Sequence, residues 1–181
     1  MQRPRYALVA YLRNDAGVFV ESLRRELHPD LPHLSAHLTI LPPRRLRGTE
    51  NSALQLLAQV CGSEDPFEVT VGDVETFLPV TPTIYIRVQN GGERMIELHS
   101  KLNTEALAFE EEWPYIPHLT IAKMSGEEPA RLAFQIARER WSDYSGSRRI
   151  LLERLTFVRE EVENRWVDLA PIPLRGRLVS R

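Results

Sequence analysis

At 181 residues, with 43% apolar and 27% charged residues, the chain can bury a substantial core and has the make-up of an ordinary globular protein, which excludes the disordered and fibrous classes. A formal net charge of -2 offers no global attraction to a polyanion, so tight non-specific binding along a nucleic acid backbone is not expected. The single Cys61 rules out an internal disulfide, no run approaches the ~20 apolar residues of a membrane span, and the first dozen residues lack the pattern of a signal peptide; a cytoplasmic protein is expected.

In chain order, the apolar run 6–12 predicts a first strand, closed by the turn-like Asn14-Asp15-Ala16-Gly17. Residues 18–27 mix Val18, Leu23 and Leu27 with Glu and Arg at helical spacing, and Pro29 stops that pattern. A proline-broken segment, 28–35, then leads into a strand beginning His37-Leu38-Thr39-Ile40 and ending at Pro42-Pro43. A helix over 50–60 and a strand over 67–77 complete the first half. The second half starts with the clean alternation of 83–88, turns at Asn90-Gly91-Gly92 into a helix over 93–107, and reaches a second strand, His118-Leu119-Thr120-Ile121. A helix over 129–141 follows, with Pro129 tolerated in its first turn, then a strand over 150–159, a turn at Glu163-Asn164 and a last strand over 165–170.

Both halves therefore read strand, helix, His-strand, helix, strand, which predicts an α+β fold with a pseudo-twofold duplication. The expected arrangement is bilobal within one domain, 1–181, with lobes from about 1–80 and 81–181. Two mostly antiparallel sheets would line a central groove, with helices on the outer faces. Alternate strand residues point to opposite faces, so His37 and Thr39 share one surface while Leu38 and Ile40 anchor it from behind; His118 and Thr120 repeat this against Leu119 and Ile121.

The paired tetrapeptides, the second preceded by Pro117 and followed by Ala122 and a base, resemble the His-x-Thr-x motifs of the two-histidine phosphoesterase superfamily, in particular its 2'-5' RNA ligase-like cyclic phosphodiesterase branch. The middle strands 67–77 and 83–88 and the closing hairpin resemble that family too. The resemblance implies a phosphoric diester hydrolase that opens 2',3'-cyclic phosphate ends of RNA or nucleotides to 2'-phosphates, with reversible 2'-5' ligation as an accompanying reaction. By that resemblance His37 is the proton donor and His118 the acceptor in hydrolysis; the residues alone do not assign the roles. Their chemistry is suited to it: a histidine, with an ordinary pKa near 6.5, serves as acid or base near neutrality, and a threonine hydroxyl can donate to a phosphate oxygen.

No cofactor and no metal are expected. His28, His33 and His37 are separated by helix-breaking prolines and lack a completing Cys or carboxylate pair. Candidate substrate contacts are Arg44, Lys123, Tyr85 and Tyr115, with Tyr11 and Phe77 as further base-stacking candidates and Arg45, Arg47, Arg148 and Arg149 as further cations. The family often has arginine where Lys123 stands, and regular strand parity turns Lys123 away from His118 unless the strand twists near Ala122. His99 reads as a core-edge residue. Partners are RNA ends or small nucleotides carrying a cyclic phosphate or 2'-5' linkage, with no membrane and a monomer favoured. The alternative is a binding module that recognises such ends without turnover.

Overall fold

A computed structural model describes residues 4–28 and 35–176. Strand β1 (Tyr6–Tyr11) leads to helix α1 (Asp15–Leu27), motif strand β2 (His37–Arg44), α2 (Glu50–Gly62) and β3 (Phe67–Thr76). Then come β4 (Thr83–Asn90), α3 (Gly92–Leu102), a short 3-10 turn, motif strand β5 (His118–Lys123), α4 (Glu127–Ser142), β6 (Arg149–Leu152), β7 (Arg154–Val162) and β8 (Arg165–Pro173). The α+β class is as expected, and among the described residues no helix is long and apolar enough to cross a membrane.

Two local readings change for physical reasons. Asn14 to Gly17 is the start of α1 rather than a turn: the Asn14 side chain accepts the Gly17 N–H at 3.0 Å, capping the helix. Gly17 is required there, since a Cβ would stand 2.3 Å from the Leu12 carbonyl oxygen. The strand expected over 150–159 is two strands parted at Glu153, and they go to different places. β6 pairs with β3, whereas β7 pairs with β1 and β8.

The eight strands form one sheet in the order β6-β3-β4-β5-β2-β1-β7-β8. This corrects the two-sheet picture. Outward from the centre, each side runs motif strand, first strand of the same half, then third strand of the other half: β3 crosses to pair with β4, and β7 crosses to pair with β1. Because β6 and β7 are consecutive in sequence but lie at opposite sides of the order, the sheet has to curl.

The main apolar core includes residues of all eight strands and all four helices, among them Leu8, Leu38, Val69, Ile84, Leu119, Ile150, Phe157 and Ile172 from the sheet. Against its strands pack α1 on β5, α3 on β2, α4 on β3 and β4, and α2 on β8. The helices thus cover the face carrying Leu38 and Leu119. The other face is left for the histidines.

Candidate active site

The two motif strands meet at the centre of the sheet, antiparallel, with Leu38 paired to Leu119. Continuing that register by one residue in each direction puts His37 opposite Thr120 and Thr39 opposite His118. All four lie on the face opposite the two leucines. Leu38, Ile40 and Leu119 are fully buried and Ile121 nearly so, while His37, Thr39, His118 and Thr120 are half-buried. Diagonal neighbours on adjacent strands stand about 7–8 Å apart, which sets the two imidazoles at a separation that suits flanking one phosphate.

Each imidazole is held in the same way. The Nδ1 of His37 lies 2.7 Å from the Ser35 carbonyl oxygen, and the Nδ1 of His118 lies 2.6 Å from that of Ile116. A carbonyl oxygen only accepts, so Nδ1 carries the proton in both rings and Nε2 is left for chemistry. Burial, with the nearby charges of Arg24, His118 and Lys123, pushes the pKa of His37 down to about 4, against the raising effect of its carbonyl bond. Burial, followed by Lys123, lowers His118 as well.

Lys123 belongs to this group, contrary to simple parity. The β4–β5 register shifts between Ile84 and Tyr85, so Ile121 and Ala122 are both buried and Lys123, paired with Thr83, returns to the His118 face. A β-bulge adds one residue and reverses the alternation beyond it. The first motif strand has a matching irregularity, with Ile40 and Leu41 both buried. Although Lys123 is exposed, partial desolvation by the groove lowers its pKa, and the charge of Arg5 adds to this. Arg24 and Arg5 thus act on the site electrostatically, although no motif marks them; Arg24 reads in sequence as an ordinary cation in the last turn of α1.

Of the aromatic candidates, Tyr85 and Phe77 stand beside His118, their ring centroids 5.3 and 5.2 Å from its own in edge-on contacts. Tyr11 pairs in register with His37. Tyr115 does not reach the groove as expected: its hydroxyl donates to the Thr39 carbonyl at 2.7 Å, and its ring stacks on His99 at 4.1 Å. His99 is buried, its Nδ1 2.7 Å from the Ile40 carbonyl oxygen. These contacts tie the segment before His118 to the backbone of the His37 strand, where the central pairing is short.

Arg44 is likewise corrected as a substrate contact. It is 1% exposed, and its guanidinium donates to the Pro42 carbonyl at 3.0 Å, Asn103 Oδ1 at 2.8 Å, the Leu107 carbonyl at 3.1 Å and Glu111 at 2.5 Å. Arg44→Met is therefore expected to destabilise the fold by about 3–5 kcal/mol, because Glu111 loses its main charge partner in a mostly buried setting. Denaturant unfolding would measure it. KM per folded molecule should stay near wild type, whereas a phosphate-binding arginine would raise it. Arg148 stacks on Trp141 with its charge 4.8 Å from the ring centroid, and Arg149 pairs with Glu68 on the far edge of the sheet. His33 lies outside the described residues.

The curled antiparallel sheet with helices on one face is a fold shared with solved structures, LigT among them. The crystal structure of Thermus thermophilus TT0787 superposes with a TM-score of 0.66 at 17% identity, covering 95% of this chain and 98% of that one. Escherichia coli LigT complexed with 3'-AMP gives 0.65 at 14% identity, covering 96% and 99%. The sequence matches the 2'-5' RNA ligase superfamily over residues 13–164, and the chain belongs to that family. An Oceanobacillus iheyensis relative named "Putative phosphoesterase OB1230" is 29% identical over 103 residues, which are 56% of this chain and 60% of that protein. A Bacillus cereus (strain G9842) relative with the same kind of name is 29% identical over 126 residues, 67% of this chain and 70% of that one. The match thus spans about three-fifths of the length of the first of these relatives.

Proposed function

We propose that the chain is a metal-independent cyclic phosphodiesterase that opens 2',3'-cyclic phosphate ends of RNA or small nucleotides to 2'-phosphates, working from the cytoplasm. The observation that carries this reading is the pair of His-Thr strands sharing one face, each imidazole tied at Nδ1 and open at Nε2. Nucleotide binding by the LigT structures supports the same substrate class.

In the hydrolytic step, Nε2 of His118 takes a proton from water as the water oxygen bonds to phosphorus. The P–O3' bond breaks on the opposite side, and Nε2–H of protonated His37 delivers the proton to O3'. The bond from Nδ1–H to the Ser35 carbonyl persists throughout and favours the imidazolium. Thr39 and Thr120 donate to the non-bridging oxygens as charge builds, and Lys123 supplies a point charge beside them. Run with a 5'-hydroxyl in place of water, the same geometry forms a 2'-5' linkage.

The test is incubation with a 2',3'-cyclic mononucleotide in the presence of a chelator, with product separation; a 2'-phosphate is the expected product. Binding without product would indicate a recognition module instead. The pH profile is a second check. In the unliganded groove both histidines titrate below their ordinary value, His37 at about 4, so the singly protonated pair is most populated on the acid side of 6.5 and kcat/KM should peak there. A bound phosphodiester offsets the charges of Arg24 and Lys123 that depress His37, so the kcat profile should be displaced toward higher pH. A rate that climbs steadily through alkaline pH, or that chelators abolish, would point to metal-activated water instead.

A further inference from the structure

On the side of the sheet covered by α3, two rings are bonded to the backbone of the first motif strand. The Tyr115 hydroxyl donates to the Thr39 carbonyl at 2.7 Å, and Nδ1 of His99, a residue of α3, donates to the next carbonyl, that of Ile40, also at 2.7 Å. The rings themselves are stacked in parallel, with centroids 4.1 Å apart. Successive carbonyls of a regular strand point to opposite neighbours, so two in a row that accept from one stacked pair mark a break in the ladder. The pairing with β1 has that break: Val9 is opposite Thr39 and Leu8 is opposite Leu41, which leaves Ile40 as the extra residue. Thr39 therefore stands at a bulge. Beside it, the registered pair joining the two motif strands is Leu38 with Leu119.

A bulged backbone is held by whatever bonds its freed carbonyls, and here the holders are themselves fixed. Nε2 of His99 lies 3.1 Å from Glu111, whose other carboxylate oxygen accepts from the buried Arg44 guanidinium at 2.5 Å. Asn103 bonds both Arg44 and the backbone of Phe109, which closes the loop between α3 and Tyr115. Burial raises the pKa of Tyr115, as does the charge of Glu111, so the hydroxyl keeps the proton it donates. The contacts thus run from the end of β2 through Glu111 and His99 to Tyr115, and from there back to Thr39. None of these groups takes part in the proton transfers.

We propose that Tyr115, backed by His99, is a positioning residue that sets the backbone of Thr39 and so the direction in which the Thr39 hydroxyl donates to the phosphate. This rests on the phosphoesterase reading above. A hydroxyl that stabilises transition-state charge is sensitive to its placement, since about 1 Å of displacement caused by a remote change can cost ~10²-fold in rate. Phenylalanine at 115 keeps the ring, its stack and its packing, and removes one bond.

The experiment measures kcat and KM for adenosine 2',3'-cyclic phosphate in wild type, Tyr115→Phe, Thr39→Val and the double variant, each checked for folding by circular dichroism. Tyr115→Phe is expected to lower kcat about 5- to 50-fold with KM within about twofold of wild type, a split that lost stability would not give when rates are taken per folded molecule. In the Thr39→Val background no hydroxyl remains to be aimed, so the same change should cost less than about twofold. A Tyr115→Phe kcat within about twofold of wild type, a loss confined to KM, an unaffected kcat in Thr39→Val, or losses that multiply in the double variant would each overturn the proposal and leave the phosphoesterase reading standing. No turnover by wild type would overturn both. Should Tyr115→Phe misfold, His99→Asn, which keeps an N–H where Nδ1 stands, and His99→Leu, which has none, take its place. A kcat lower for Leu than for Asn, with the difference lost on adding Thr39→Val, supports the proposal; equal kcat, or a difference that persists, overturns it.

Discussion

Replacing His37 or His118 by Ala is expected to lower kcat for a 2',3'-cyclic nucleotide about 10²- to 10⁴-fold in each case, the range for losing a general acid or base, while nucleotide binding survives. The two rings lie on one face of adjoining strands, each locked at Nδ1 by a carbonyl two residues earlier, and in the proposed mechanism both Nε2 atoms address the same phosphate. The double variant should therefore lose less than the product of the single losses, since with one proton transfer gone the other can help only partly. Folding should not confuse the result, because both side chains are only half-buried and point away from the main core. Near-wild-type turnover in both single variants, still folded by circular dichroism, would end the two-histidine mechanism.

The next largest effect is expected for Thr39→Val and Thr120→Val, at about 10- to 10³-fold each, at or below the cost of one lost oxyanion donor. Valine preserves the β-branched shape and the strand preference, so the change isolates the hydroxyl. Each threonine sits across the seam from the other strand's histidine and is half-buried on the groove face. Charge on the non-bridging oxygens grows in the transition state, so the loss should fall on kcat with KM little changed. A rise in KM at constant kcat would instead make the threonines ground-state binders.

Much of this was legible locally. The alternation in His37-Leu38-Thr39-Ile40 and His118-Leu119-Thr120-Ile121 sets which side chains share a surface wherever the strands end up, because successive residues of an extended chain point to opposite faces. The same is true of the order of elements and of Pro129 in the first turn of α4. Where the local reading misplaced α1, the cap was present in the sequence as Asn14, but Gly17 read as a turn signal until its close approach to Leu12 was known.

Other features depend on partners distant in the chain. Lys123 reaches the histidine face only because a bulge, defined by how β5 pairs with β4, reverses its parity. Arg44 reads locally as a substrate contact after a motif, but Asn103, Leu107 and Glu111 close over it and, with the Pro42 carbonyl of its own strand, accept from its guanidinium. Tyr115 hooks the Thr39 carbonyl across the seam, and the strands β3 and β7 exchange lobes. Side-chain periodicity is a property of the covalent backbone and is written into each segment. The choice of strand partner, the position of a bulge and the burial of a charge are set by which surfaces meet when the whole core closes, and no window of sequence contains that contest.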